Sequence, residues 1–290
     1  MEQYLEKQLG CLCKSVRPAD AHAVEAAKHH WNEIAKPLYG LGKFEELLVK
    51  IAGVQKTEDI CLNKKAVVVF CADNGVVAEG VTQTDSSVTA VVTENFARGI
   101  ASVNRMASVA GADVIPVDIG VLGEIKEPGV RNCRIANGTK NMRKEPAMSH
   151  EQVLEAIHTG ITLASELKDA GYDLLAVGEM GIGNTTTSSA VASVLLQAPV
   201  ELVTGRGAGL SNTGLEKKIE VIKEAIALHQ PDPEDPLAVL EAVGGFDIAG
   251  MCGLMLGGAI YRIPVVLDGL ISLVAALLAQ KLCPQVTDFL

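Results

Sequence analysis

Residues 174–190 read LLAVGEMGIGNTTTSSA: an apolar run, an acid at Glu179, glycines at 181 and 183, then Asn184 and three threonines. A helical pattern, TSSAVASVLLQ, follows directly. The first backbone amides of a helix lack intrahelical partners, and that end carries roughly half a positive charge. A phosphate placed there gains from both. Gly181 and Gly183 are expected to let the backbone turn and approach such a ligand without a Cβ in the way. The stretch lacks the GK[ST] of a nucleotide-triphosphate loop and the third glycine of a dinucleotide fingerprint, which disfavours both chemistries. Further on, GRGAGLSNTGLEKKIEVI supplies more glycines and two lysines, Lys217 and Lys218, either of which can neutralise a phosphate. An anion repels Glu179, so the acid is expected at the other end of the substrate.

Such a site needs strands to carry it. Short apolar runs recur at AVVVF (66–70), DVIPVD (113–118), DLLAV (173–177), LEAVG (240–244) and IPVVLD (263–268). Continuous runs of this kind are strands buried on both faces, and helical patterns between most of them serve as crossovers. The clearest crossover is EQVLEAIHTGITLASELKDAG, ending at Gly171. The expectation is an α/β fold: a doubly wound, mostly parallel, Rossmann-like sheet with a small helical domain from the N-terminal region. Residues 1–62 are expected to form that helical lobe, with PADAHAVEAAKHHWNEIAK and KFEELLVKIAGVQ as helices, and 63–290 the α/β domain. On the second helix Phe44, Leu47, Leu48 and Ile51 share one stripe. Each apolar run is followed at once by a glycine or an acid, among them Asp73, Asp118, Glu179, Asp247 and Asp268. In open parallel sheets ligands bind at the carboxyl ends of the strands, so these segments are expected to meet in one crevice.

Composition bounds the function. A formal charge of −10 argues against nucleic acid, whose phosphates demand a basic face. The stretch IAGMCGLMLGGAIY falls short of a membrane span and is expected to be a buried helix. Seven cysteines form no CxxC pair and no zinc-spaced cluster, so free thiols in a reducing cytoplasm are expected, with no metal. His29 and His30 are expected on a helix surface. MEQYLEKQLG lacks the apolar region of a signal peptide, which also points to the cytoplasm.

The segments KPLYGLG, CADNGVVAEGVT, VGEMGIGNTTTSSA, GRGAG, AVGGFDIAGMCG and RIPVVLDGLISLVAALLA, in this order over about residues 30–290, resemble the nicotinate-nucleotide–dimethylbenzimidazole phosphoribosyltransferases of cobalamin nucleotide-loop assembly. The resemblance implies transfer of the 5-phosphoribosyl group of nicotinate mononucleotide to 5,6-dimethylbenzimidazole or a related base. The products are α-ribazole 5′-phosphate and nicotinate; no cofactor is implied and a homodimer is. It further implies that Gly181, Gly183, Asn184, Thr185 and Thr186 hold the phosphate with Lys218, the better-aligned lysine. Gly207, Gly245, Phe246, Asp268 and Ser272 would line the nucleotide pocket. Glu179 would orient or deprotonate the base, while Asp73, Thr84 and Ser86 would face it. Two departures stand out. Members continue past the equivalent of Leu290 with a glutamate regarded as the general base, so this chain is expected to be a shortened copy with weak activity. The alternative is a catalytically impaired, nucleotide-binding member. The glutamine that helps seat dimethylbenzimidazole in many members maps onto Ser86, which leaves other benzimidazoles, a purine or a phenolic base open.

Overall fold

The computed structural model describes residues 2–290. The chain opens with α1 (Glu2–Ser15), α2 (Ala21–Glu33) and α3 (Lys43–Gln55). Asp20 starts α2 by accepting the Ala23 amide at 2.9 Å. The stripe read on α3 is not its buried face. Phe44 and Leu47 are exposed, whereas Ala52, Gly53 and Val54 at its last turn are buried. A Cβ on Gly53 would lie 2.6 Å from the Val24 side chain and 3.2 Å from that of Ala19, so the turn packs on the neighbouring helix.

The α/β part follows as β1 (Lys65–Ala72), α4 (Ser87–Ala97), α5 (Ser102–Ala110), β2 (Ala112–Gly120), β3 (Arg131–Asn132) and α6 (His150–Asp169). Next come β4 (Leu174–Met180), α7 (Asn184–Leu195), α8 (Val200–Val203), α9 (Asn212–His229) and α10 (Pro236–Val243). Then α11 (Phe246–Tyr261), β5 (Val265–Val266), α12 (Leu270–Leu282) and a 3₁₀ turn over Pro284–Phe289 complete it. The strands form one parallel sheet in the order β3-β2-β1-β4-β5. The runs at 66–70, 113–118, 173–177 and 263–268 are strands as expected. LEAVG is not: it lies in α10, whose start is fixed by Pro236 and by Asp235 accepting the Leu237 and Ala238 amides, both at 3.1 Å. The edge strand β3, which no apolar run announced, takes the fifth place in the sheet.

Both faces of β1 are covered, which accounts for its unbroken apolar sequence. Ala66, Val68, Phe70 and Ala72 belong to the main core with α6 and α11, while Val69 and Cys71 pack with Ala90 and Phe96 of α4. As expected, α11 is buried along most of its length. Among the described residues, no helix is long and apolar enough to cross a membrane.

Candidate active site at the switch point

The chain leaves β1 toward β2 and β3 on one side and returns to β4 and β5 on the other. Connections therefore reverse between β1 and β4, where open sheets hold their ligands. Phe70 pairs with Glu179 and Cys71 with Met180 across this seam. Directly beyond, Gly181 passes so close to β1 that a Cβ would lie 2.3 Å from the Ala72 carbonyl oxygen. Its missing side chain makes room for the neighbouring strand, and the residue also lines the cleft described below. Gly183, at φ +94°, turns the chain into α7.

Two acids share one amide here. The Nδ2 of Asn184 donates to Glu179 Oε2 and, at 3.2 Å, to Asp247 Oδ2 on the first turn of α11. Burial raises the Glu179 carboxyl above its ordinary range; the Asn184 bond opposes this and the charge of Asp268 adds to it. Burial, then the charge of Glu179, pushes Asp247 up to about 7. Near neutral pH the pair thus carries fewer than two negative charges.

A cation occupies the opposite wall. Lys218, on α9, is only 1% exposed. Its Nζ donates to Thr185 Oγ1 at 2.8 Å and to the Gly205 carbonyl at 3.2 Å. No carboxylate pairs with it among the described residues, and burial pushes its pKa down to about 8. A Cβ on Gly207 would sit 3.6 Å from Nζ, so this loop closes over the ammonium. Glu179, Thr185, Gly207 and Lys218 all line one cleft of about 170 Å³.

The phosphoribosyltransferase family profile matches residues 16–290. The nicotinate-nucleotide–dimethylbenzimidazole phosphoribosyltransferase of Ruminiclostridium cellulolyticum is 45% identical over 276 residues, covering 95% of this chain and 78% of that protein. The enzyme of the same name from Clostridium acetobutylicum is 46% identical over 279 residues, covering 96% and 79%. Among solved structures, CobT from Thermus thermophilus superposes with a TM-score of 0.88 at 37% identity, over 92% of this chain and 80% of that one. The chain belongs to the nicotinate-nucleotide–dimethylbenzimidazole phosphoribosyltransferase family.

In this phosphoribosyltransferase the cleft gathers Thr84, Glu179, Gly181, Gly183, Asn184, Thr185, Gly207 and Lys218. Lys217 is exposed and points toward Gly80, which separates the two lysines. Thr186 is fully buried in α7, away from the cleft. The amides opening α7 are partly used: Asn184 donates to the Gly181 carbonyl at 3.2 Å and Thr186 to that of Gly183 at 2.9 Å, leaving Thr185. Asp73 is 3% exposed and lies behind the cleft wall. It accepts from the Thr89 hydroxyl at 2.7 Å and the Leu122 amide at 2.8 Å, and burial raises its pKa. Thr89 in turn accepts the Ile182 amide at 3.2 Å, so Asp73 holds the Gly181–Gly183 loop from behind. Ser86 opens α4 within hydrogen-bonding reach of Asp73, and does not line the cleft.

Four more expected residues lie outside the cleft. Gly245 starts α11, and a Cβ there would meet Asp247 Oδ1 at 2.5 Å. Phe246 is wholly buried against Gly120. Asp268 is exposed after β5 and acts on Glu179 by its charge. Ser272 accepts the Asp268 amide at 3.0 Å and donates to the Gly269 carbonyl at 2.9 Å, fixing the start of α12. The residues missed were Asp247, Asn74 and Arg206. Asp247 was visible as an acid after an apolar run but received no role. Asn74 was hidden in CADNG, although its Oδ1 lies 3.4 Å from the Thr187 hydroxyl. Arg206 lines the cleft and its signal, a cation inside GRGAG, was in view.

Proposed function

We propose that the cleft binds nicotinate mononucleotide with its 5′-phosphate against Lys218, Thr185, Gly207 and Arg206, and its anomeric carbon toward Glu179. The observation that carries this reading is a buried ammonium without a counter-ion at one end of a cleft and a raised carboxyl at the other. A dianion supplies the counter-charge that no side chain gives Lys218 and draws its pKa back up. Nicotinate leaves readily because its ring nitrogen is cationic in the substrate and neutral once the C–N bond breaks. The nitrogen of 5,6-dimethylbenzimidazole or a related base then bonds to the opposite face of the anomeric carbon, with inversion. The attacking base must lose a proton, and Glu179, a stronger base for being buried, is placed to accept it or to hold the base in register. Asn184 and Asp247 fix the Glu179 carboxyl. Asp73 and Ser86 shape the base end indirectly, through the loop they anchor.

The same reading has the chain act in the cytoplasm as a homodimer. Free thiols support the first; Leu196, Leu202, Leu270 and Leu273, lining an apolar groove of about 470 Å³, support the second.

The test is incubation with nicotinate mononucleotide and a panel of bases, following nicotinate release. Release that depends on an added base is expected, and its rate tests the weak activity anticipated from the sequence. Lys218→Ala is expected to raise KM on the order of 10- to 100-fold by removing ground-state phosphate binding, while Glu179→Gln lowers kcat on the order of 10²- to 10⁴-fold. Tight nucleotide binding without release would favour a catalytically impaired member. Unchanged rates in both variants would overturn the site assignment.

A further inference from the structure

Two thiols distant in sequence meet where the first helix touches the last. Cys13 lies on the final turn of α1, and Cys283 ends α12. The Cys283 sulfur is 3.6 Å from the Cys13 carbonyl oxygen, and the two thiols are within hydrogen-bonding reach of each other. Cys283 also begins the 3₁₀ turn over Pro284–Phe289, so the amides of Gln285 and Val286 favour its thiolate. Both sulfur-bearing residues line a groove of about 580 Å³ that carries Lys14 and Arg17 as well. Glu6 lines the same groove, so its charges are mixed.

The two sulfurs are differently poised. The Cys13 thiol donates to Cys283, which lowers the pKa of Cys283 and raises that of Cys13. The remaining buried cysteines lack that arrangement: Cys71 is pushed up to about 12 by burial, and burial raises Cys252 as well. An attacking thiolate beside a protonated resolving thiol is the arrangement of a sulfur redox pair.

We propose that Cys13 and Cys283 form a reversible oxidation site, closed to a disulfide by a hydroperoxide. The Cys283 thiolate attacks the peroxide oxygen, forming an S–O bond and releasing hydroxide, or an alcohol if the peroxide is organic. The Cys13 sulfur then attacks the sulfenic acid at Cys283, forming the S–S bond and expelling water with the Cys13 proton. Two thiols lose two electrons and the peroxide O–O bond gains them. The product ties α1 to the C-terminal turn and leaves the nucleotide cleft untouched.

The test is treatment of the full chain with stoichiometric hydrogen peroxide, alkylation of the remaining thiols, and peptide mapping. A single intramolecular link between Cys13 and Cys283 is expected, reversed by dithiothreitol, with exposed Cys11 and Cys61 still alkylated. Closing so long a loop is expected to raise Tm by roughly 5 °C or more relative to the reduced chain. In Cys13→Ser, Cys283 is expected to stop at the sulfenic or sulfinic acid. A Cys283 oxidised beyond the sulfenic acid beside an alkylatable Cys13 in the unaltered chain would overturn the proposal, as would a link made by Cys11 instead. Mapping the unaltered chain decides the matter even if the variant does not fold.

Discussion

Asn184 offers a single amide nitrogen to two acids, and the arrangement has a pH signature. Asp247 is fully buried and its pKa lies near 7, well above the unfolded value of 3.8. A raised carboxyl keeps its proton longer in the folded state than in the unfolded one, so the folded protein binds more protons between those values. The resulting stability is present in full below the unfolded pKa and is lost as pH climbs through the folded one. Asp247→Asn removes this loss while keeping the shape. The unfolding free energy of the native protein minus that of the variant, read from urea unfolding, is therefore expected to fall between about pH 4 and 7, by an amount on the order of 4 kcal/mol at most. A difference that stays flat across this window would show that Asp247 is not titrating. Comparing the two proteins cancels the surface acids. Of this site, Glu179 and Lys218 were legible because each stands beside a glycine motif. Asp247 was not, because its meaning depends on a helix that brings residue 247 back beside residue 184.

At the scale of elements, two helices carry Asp247 to that position. α6 and α11 cross with glycines at the contact: a Cβ on Gly160 would lie 2.2 Å from the Gly250 carbonyl oxygen, and one on Gly253 would lie 2.0 Å from that of Ile157. Close backbone approach leaves no side chain to yield. Gly160→Ala is expected to destabilise the fold by about 1–3 kcal/mol in urea unfolding and to lower kcat as α11 shifts with Asp247. Gly10 in α1 provides the contrast, because a Cβ there meets nothing within 4 Å. Gly10→Ala is expected to stabilise by roughly 0.5–1 kcal/mol through helix propensity alone. Equal effects from the two substitutions would remove the packing argument. The buried character of α11 was legible in its sequence, since an apolar stretch too short for a membrane needs a core around it. α10 was not: LEAVG is five residues long, and over so short a run strand and helix periodicities coincide. The arbiters are Asp235 and Pro236, which cap and open the helix.

At the scale of the whole molecule, an arginine helps to tie the two ends of the chain together. Arg262, in the left-handed conformation that ends α11 at φ +56°, donates to the carbonyls of Val54 and Gly53, each at 2.8 Å, and to that of Pro18 at 3.3 Å. Its guanidinium lies 5.3 Å from the centre of the Phe289 ring. Alongside it, Asp288 accepts the Ala19 amide at 2.9 Å. One side chain thus joins the N-terminal helices, the end of α11 and the C-terminal turn, at the opposite end of α11 from Asp247. Periodicity gave no hint of this, since an arginine after an apolar helix ordinarily faces water. Arg262→Met keeps the stem and leaves those carbonyls without their charged donor. It is expected to cost roughly 2–4 kcal/mol in urea unfolding and to expose the segment around residues 17–56 to proteolysis. KM for nicotinate mononucleotide should stay within about twofold, because Lys218 and Thr185 are untouched. A variant that lost nucleotide affinity while resisting protease as well as the native chain would place Arg262 in the path to the cleft instead of at the clasp.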